Sequence, residues 1–185
     1  MSGHSHWSTI KRQKQTEDEK RGKLFSKLSR AISTAARKGG SDPDLNPTLR
    51  TAIDKARSYN MPKDKIEKAV GAADSAQALE EAIYEGYGPS GVAFLVKVLT
   101  DNRNRTLAEV RRIFDTYGGK LGEAGSAAYI FIDLENPSFL VPLTDSGVAK
   151  KVLGLANALD EHEDVQEVYS NFDISDEHLA ELGEK

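Results

Sequence analysis

The run GVAFLVKVLT, Gly91 to Thr100, constrains the fold most, because its only charged residue is Lys97. A nearly all-apolar run of this length, flanked by turn residues, reads as a central strand of a sheet. ALEEAIYEGYG before it reads as a second strand, with GPSG as the hairpin turn between them. TLAEVRRIFDTYGG after it reads as a helix. Thr106 and Glu109 form its capping box, Leu107, Val110, Phe114 and Tyr117 are its apolar positions, and glycines mark its exit. SAAYIFID reads as another strand. In NPSFLVPL, Pro137 and Pro142 allow only an edge strand or a loop. GVAKKVLGLANALDEH is a helix facing inward with Val148, Val152, Leu155 and Leu159, and DVQEVYSNFDI is a last strand whose alternation is imperfect. The order β-β-α-β-(x)-α-β describes an α+β domain over residues 79–174, an antiparallel or mixed sheet with helices packed on one face.

The preceding residues follow a helical period. Thr16 and Glu19 form a capping box, and Leu24, Leu28, Ala31, Ile32 and Ala35 share a face until Gly39 and Gly40 end the helix. Asn46 caps a second helix, Pro47 occupies its first turn, and Leu49, Ala52, Ile53 and Ala56 form its stripe up to Asn60. A third opens at Pro62, with Ile66, Ala69, Val70 and Ala73 facing in. Together they predict a three-helix bundle over residues 16–74. Residues 1–15 lack hydrophobic period and read as a basic flexible arm, and residues 175–185 as an acidic, fraying tail.

Composition excludes several classes. Cysteine is absent, so disulfides, thiolate zinc sites and cysteine nucleophiles are excluded, in keeping with a reducing cytoplasm. No apolar run approaches the ~20 residues of a membrane span, and the N-terminus has charge without the apolar core of a secretory signal. The net charge of −4 conceals a split: Met1 to Val70 holds 16 Lys and Arg against 8 Asp and Glu, and the remainder 9 against 21. Such asymmetry points to a polyanion-binding front and an acidic, solubilising rear; uneven surface charge with no partner is the plainer reading.

Lys11, Arg12, Lys14, Lys20, Arg21, Lys23, Lys27 and Arg30 form a cationic run, with the flat rings of His6 and Trp7 ahead of it. Cations neutralise phosphates and release counterions, and an aromatic ring can stack on an unpaired base. The competing reading is a Trp7 that folds back onto the bundle. TDNRNRT, Thr100 to Thr106, enters a helix N-terminus; Arg103 and Arg105 beside free amides would seat a phosphate, or the loop is simply solvated and capped by Thr106. GYGPSG, Gly86 to Gly91, matches G-x-G-x-x-G but opens a strand instead of a helix, so it reads as a hairpin with Tyr87 as a possible contact at its tip. His4, His6, His162 and His178 show no zinc or catalytic spacing, and the carboxylates are scattered. The expectation is a protein without catalysis, cofactor or metal.

The segments GHSHWSTIKRQKQ, DEKRGKLFSKLSRAI, AARKGGSDPDLNPTLRTAIDKARSYNMPKDKIEKA, YEGYGPSGVAFLVKVLTDNRNRT, GGKLGEAGSAAYIF and DVQEVYSNFDI resemble YebC-type proteins across nearly the whole chain. That group comprises bacterial probable transcriptional regulators and the mitochondrial translational activator of cytochrome oxidase subunit I. The resemblance implies a helical bundle followed by an α/β part, nucleic-acid binding and no enzyme activity. By position it implies contacts at His4, Ser5, Trp7, Lys11 and Lys14, at Arg21, Lys23 and Lys27, at Asn60, Met61 and Pro62, and at Asn102, Arg103, Asn104 and Arg105. Family members usually carry another small α/β domain between the YIF strand and the final helix. Here only IDLENPSFLVPLTDSG joins them, so that domain is expected to be missing.

The expected function is a cytoplasmic, non-enzymatic regulator of gene expression that binds DNA, with a translation factor on ribosomal RNA, relieving stalling on proline-rich nascent chains, as the alternative. A protein-interaction adaptor is a rival of another class, and a phosphate-ester enzyme using Asp101 and the Arg103 loop a third. The partner is expected to be nucleic acid, with no membrane, no small-molecule substrate and a monomer favoured.

Overall fold

A computed structural model describes residues 17–73 and 78–175, with side chains from Arg21 onward. The arm over residues 1–15, the Thr16–Glu19 capping box and the acidic tail beyond Ser175 lie outside the described residues. The described chain divides into two compact units, meeting in sequence at Glu80.

The first unit holds α1 (Glu17–Gly39), α2 (Pro47–Ser58) and α3 (Lys63–Gly71). Phe25, Leu28, Ile32, Ala35 and Ala36 of α1 meet Leu49, Ile53 and Ala56 of α2 and Ile66 and Ala69 of α3 in one apolar core. Asn46 fixes the α1–α2 corner. Its buried side chain accepts from the Leu49 amide at 3.1 Å, capping α2, while its Nδ2 donates to the carbonyls of Ala35 and Gly40 at 2.9 and 2.8 Å. One side chain thereby satisfies helix ends on both sides of the turn. Gly39 is required there, because an added Cβ would lie 2.7 Å from the Asn46 amide nitrogen.

The second unit is the α+β part. It comprises β1 (Glu80–Tyr87), β2 (Ala93–Thr100), α4 (Arg103–Thr116), β3 (Lys120–Leu121), β4 (Val141–Pro142), α5 (Ser146–Glu161), β5 (Val165–Ser170) and β6 (Phe172–Asp173). The main sheet is antiparallel, in the order β3-β1-β2-β5, and β4 and β6 form a separate two-residue parallel pair. Alternation along the central strand explains its apolar run. Val92, Phe94, Val96 and Val98 face Val110 and Phe114 of α4 and Val152, Leu155 and Leu159 of α5, whereas Ala93 and Leu95 face a second cluster with Ala127, Ile130 and Phe131.

That second cluster corrects the reading of SAAYIFID as a strand. Ala128–Phe131 is a short 3-10 turn, and it covers the sheet face opposite the helices. The start of α4 also differs from expectation. The helix begins at Arg103, with Asn102 as its cap accepting from the Arg105 amide at 3.1 Å, so the Thr106–Glu109 capping box does not form. The imperfect last strand is a strand broken at Asn171, whose buried side chain accepts from the Ala93 amide at 2.8 Å before the chain crosses to pair with β4.

Glu85, buried in β1, latches the loop ahead of the 3-10 turn. Its carboxylate accepts from the amides of Gly125, Ala127 and Ala128 at 2.7, 2.6 and 2.7 Å.

Candidate nucleic-acid interface

In the helical unit, the expected contact residues Arg21 and Lys23 lie at the exposed start of α1. Its first deeply packed side chain is Phe25, and Arg21, Gly22 and Lys23 before it are exposed. At 100° per residue, Lys23, Lys27 and Arg30 share a face roughly opposite the stripe that packs on α2 and α3, a face on which Thr34, further along, is buried. Lys23 is exposed, whereas Lys27 and Arg30 are half-buried. Lys20 sits one turn earlier on the same helix. His4, Ser5, Trp7, Lys11, Arg12 and Lys14 lie outside the described residues.

Asn60, Met61 and Pro62 form the α2–α3 corner, and their geometry gives each a structural task. Asn60 takes the left-handed conformation at φ 57°. Its amide donates to the Arg57 carbonyl at 2.9 Å and the Met61 amide to the Ala56 carbonyl at 3.0 Å, the paired bonds of a Schellman helix end. Met61 is 4 % exposed and belongs to the bundle core, so its thioether is a packing group. Asn60 and Pro62 remain at the surface. The run of expected residues passed over the lysines of α3. Lys63, Lys65 and Lys68 are exposed, and the Lys65 ammonium stands 5.1 Å from the centre of the Phe25 ring, tying α3 to α1. Their signal was present in the charge excess before Val70, although Lys63 is already paired with Glu67 at 3.5 Å.

The Asn102–Arg105 segment belongs to the other unit, at the N-terminus of α4. Arg105 does not face outward alone. Its guanidinium donates to Asp164 and Asp101, each at 2.8 Å, and stands 3.9 Å from Glu109. The bonds to Asp164 and then Asp101 push its pKa above the already high guanidinium value. Asp164 is 2 % exposed and also accepts from the hydroxyls of Thr106 at 2.6 Å and Thr100 at 3.2 Å. The Thr100 hydroxyl in turn accepts from the Asn102 amide at 2.9 Å. This network holds the first turn of α4 against the end of β2. Arg103 and Asn104 are exposed at its surface, with the Tyr84 hydroxyl donating to the Arg103 carbonyl at 3.1 Å. The hydroxyl of Tyr87 is turned to the Ser126 carbonyl, to which it donates at 2.6 Å.

His162, Glu109 and Asp164 come together here although 53 and 55 residues separate Glu109 from the other two. The ring Nδ1 accepts from the Asp164 amide at 3.1 Å, which puts the neutral ring's proton on Nε2, 3.0 Å from Glu109. With Arg105 already neutralising Asp164, these groups work as an ion-pair network and fit a metal poorly.

The comparisons with known proteins now settle the family. The profile of the TACO1/YebC protein N-terminal domain matches residues 5–75, and that of the TACO1/YebC second and third domain matches residues 79–134. The chain belongs to the TACO1/YebC family. A probable transcriptional regulatory protein of Rubrobacter xylanophilus is 41 % identical over 248 residues, covering 98 % of this chain and 99 % of its own. One of Halothermothrix orenii is 39 % identical over 254 residues, covering all of both chains. The crystal structure of a conserved hypothetical protein from Aquifex aeolicus superposes with a TM-score of 0.80 at 35 % identity, covering 92 % of this chain and 98 % of that one. These relatives align across 248 and 254 positions with a YebC-family chain of 185 residues, so this member lacks several dozen residues that they carry. The second profile ends at Leu134, after the YIF segment.

Proposed function

We propose that this YebC-family chain is a non-enzymatic, cytoplasmic regulator of gene expression that grips a nucleic-acid backbone with its helical unit. The observation that carries the reading is the exposed cationic start of α1, at Arg21 and Lys23. The unit bearing it holds 13 Lys and Arg against 8 Asp and Glu from Glu17 to Ala73. The residues ahead of it add Lys11, Arg12 and Lys14 without an acidic residue. Cations so arranged bind phosphates with little regard for sequence, because phosphate contacts position a protein and base contacts specify the site. Arg103 and Asn104, at the surface of α4, are the proposed second contact, with Arg105 holding their turn in place.

The names of the relatives favour duplex DNA as the target. Ribosomal RNA is the second reading. α1 holds no Asn or Gln to read base edges, which suits recognition by shape and backbone. Among the described residues no helix is long and apolar enough to cross a membrane.

The test measures affinity of the full chain for a 20-base-pair DNA duplex and for a structured RNA hairpin by fluorescence anisotropy. Reversing Lys23, Lys27 and Arg30 to Glu is expected to weaken binding of the preferred target at least a hundredfold with the helical circular dichroism retained. An adaptor that meets its partner through the acidic unit would show neither binding nor loss.

A further inference from the structure

The α+β unit exposes apolar side chains in an uneven way. Of the seven large hydrophobic residues left exposed among the described residues, four fall between Tyr129 and Leu140: Tyr129 at 58 %, Ile132 at 88 %, Phe139 at 48 % and Leu140 at 38 %. The segment is ordered by its own bonds. The Ser138 amide donates to the Ile130 carbonyl at 2.8 Å, folding the segment back on itself, and Asn171 donates to the Phe139 carbonyl at 3.3 Å. Ile130 and Phe131 of the 3-10 turn pack against Ala93, Leu95 and Tyr169 of the sheet. The exposed side chains are therefore presented by a built scaffold. Clustering of this kind marks a contact surface, whereas isolated exposed hydrophobics do not.

The surrounding charge says what kind of partner fits. From Leu121 to Ala149 the chain carries Glu123, Asp133, Glu135 and Asp145 and no Lys, Arg or His. Asp133 is kept ionised by the Asn136 side-chain amide and by the amides of Glu135 and Asn136. An apolar patch whose own segment carries Asp133 and Glu135, and whose neighbouring Lys97, 5.1 Å from the Tyr169 ring, is already paired with Glu167 at 3.3 Å, repels phosphates. It also repels the same face of a second copy, which would set like charges against each other. It complements an apolar projection flanked by Lys and Arg. The patch spans the end of the family profile at Leu134.

We infer that the Tyr129–Leu140 surface docks a separate protein partner that presents an apolar centre ringed by basic side chains. The inference is independent of nucleic-acid binding by the helical unit.

The experiment titrates the full chain with a 14-residue amphipathic peptide of Leu and Lys bearing one Trp, and with the same peptide carrying Glu for Lys. The Lys peptide is expected to bind wild type and the Glu peptide not to. Ile132→Ser with Phe139→Ser should weaken the Lys peptide at least tenfold with the melting transition retained. Should that pair disturb folding, Glu135→Lys serves as the second variant and should also weaken it. Equal affinity of the Lys peptide for wild type and variants, no binding to wild type, or equal binding of the Glu peptide would overturn the inference. So would a wild-type dimer that Ile132→Ser dissociates in sedimentation, which would make a second copy the occupant.

Discussion

Asn46 occupies both a helix start and a helix end, and a short side chain at that corner cannot be replaced without loss. In Asn46→Ala the α2 cap disappears and the Ala35 and Gly40 carbonyls lose their donor. The expected cost is about 2–4 kcal/mol, read by urea unfolding of the helical transition. Glu85 makes the second unit sensitive to acid. Burial alone would raise its pKa, and the amides of Gly125, Ala127 and Ala128 more than offset this and lower it. A carboxylate held below its unfolded value contributes stability that is present above that value and fades as pH falls through it. Wild type should therefore lose stability between roughly pH 5 and pH 3, where the Glu85→Gln variant, already less stable at neutral pH, changes less. At the α4 entrance, two arginines separated by one residue divide in role. Arg103→Ala is expected to weaken nucleic-acid binding with the melting temperature unchanged, and Arg105→Ala to lower the melting temperature by freeing Asp164 in a buried setting. Equal melting temperatures for the two variants would contradict that division.

At the scale of elements, what the sequence reveals depends on whether the cause is local. The three N-terminal helices, the strand Ala93–Thr100 and the helix Ser146–Glu161 follow their own apolar period, so they are legible. Ala128–Phe131 is not. Its Tyr, Ile and Phe have strand propensity, and it becomes a 3-10 turn because Glu85, some 40 residues earlier, captures the amides that would have paired in a sheet. The start of α4 was hidden for a related reason: Thr106 looks like a cap, but its hydroxyl is claimed by an aspartate at position 164. Of the candidate site, the cationic excess of α1 is readable from charge, but the half-burial of Lys27 and Arg30 is not. The burial of Met61 and the pairing of Arg105 needed the tertiary structure. Close packing of β1 on α4 gives this level its own test. A Cβ at Gly86 would stand 2.7 Å from the Phe114 ring and 2.8 Å from the Lys120 carbonyl. Gly86→Ala should cost about 1–3 kcal/mol, seen as a lower denaturation midpoint for the sheet signal. An unchanged midpoint would mean that the contact is looser than described.

Over the whole molecule the two units carry opposite charge, an excess of cations through Ala73 and of carboxylates from Ala78 onward. The first suits a phosphate polymer, and the second resists non-specific adhesion to it. On this account the Asn102–Arg105 turn is a minor contact within an acidic unit, and the affinity comes from the leading helix with the residues that precede it. The most direct measurement is the affinity of the full chain for its preferred nucleic acid between 50 mM and 300 mM salt, for wild type and for a variant with Lys11, Lys14, Lys23 and Lys27 reversed to Glu. With about five phosphates neutralised, log affinity should fall with log salt at a slope near −4 to −5 on duplex DNA, and the variant should show weak binding with a shallow slope. A wild-type affinity indifferent to salt, or a reversed variant that binds as tightly as wild type, would contradict the account.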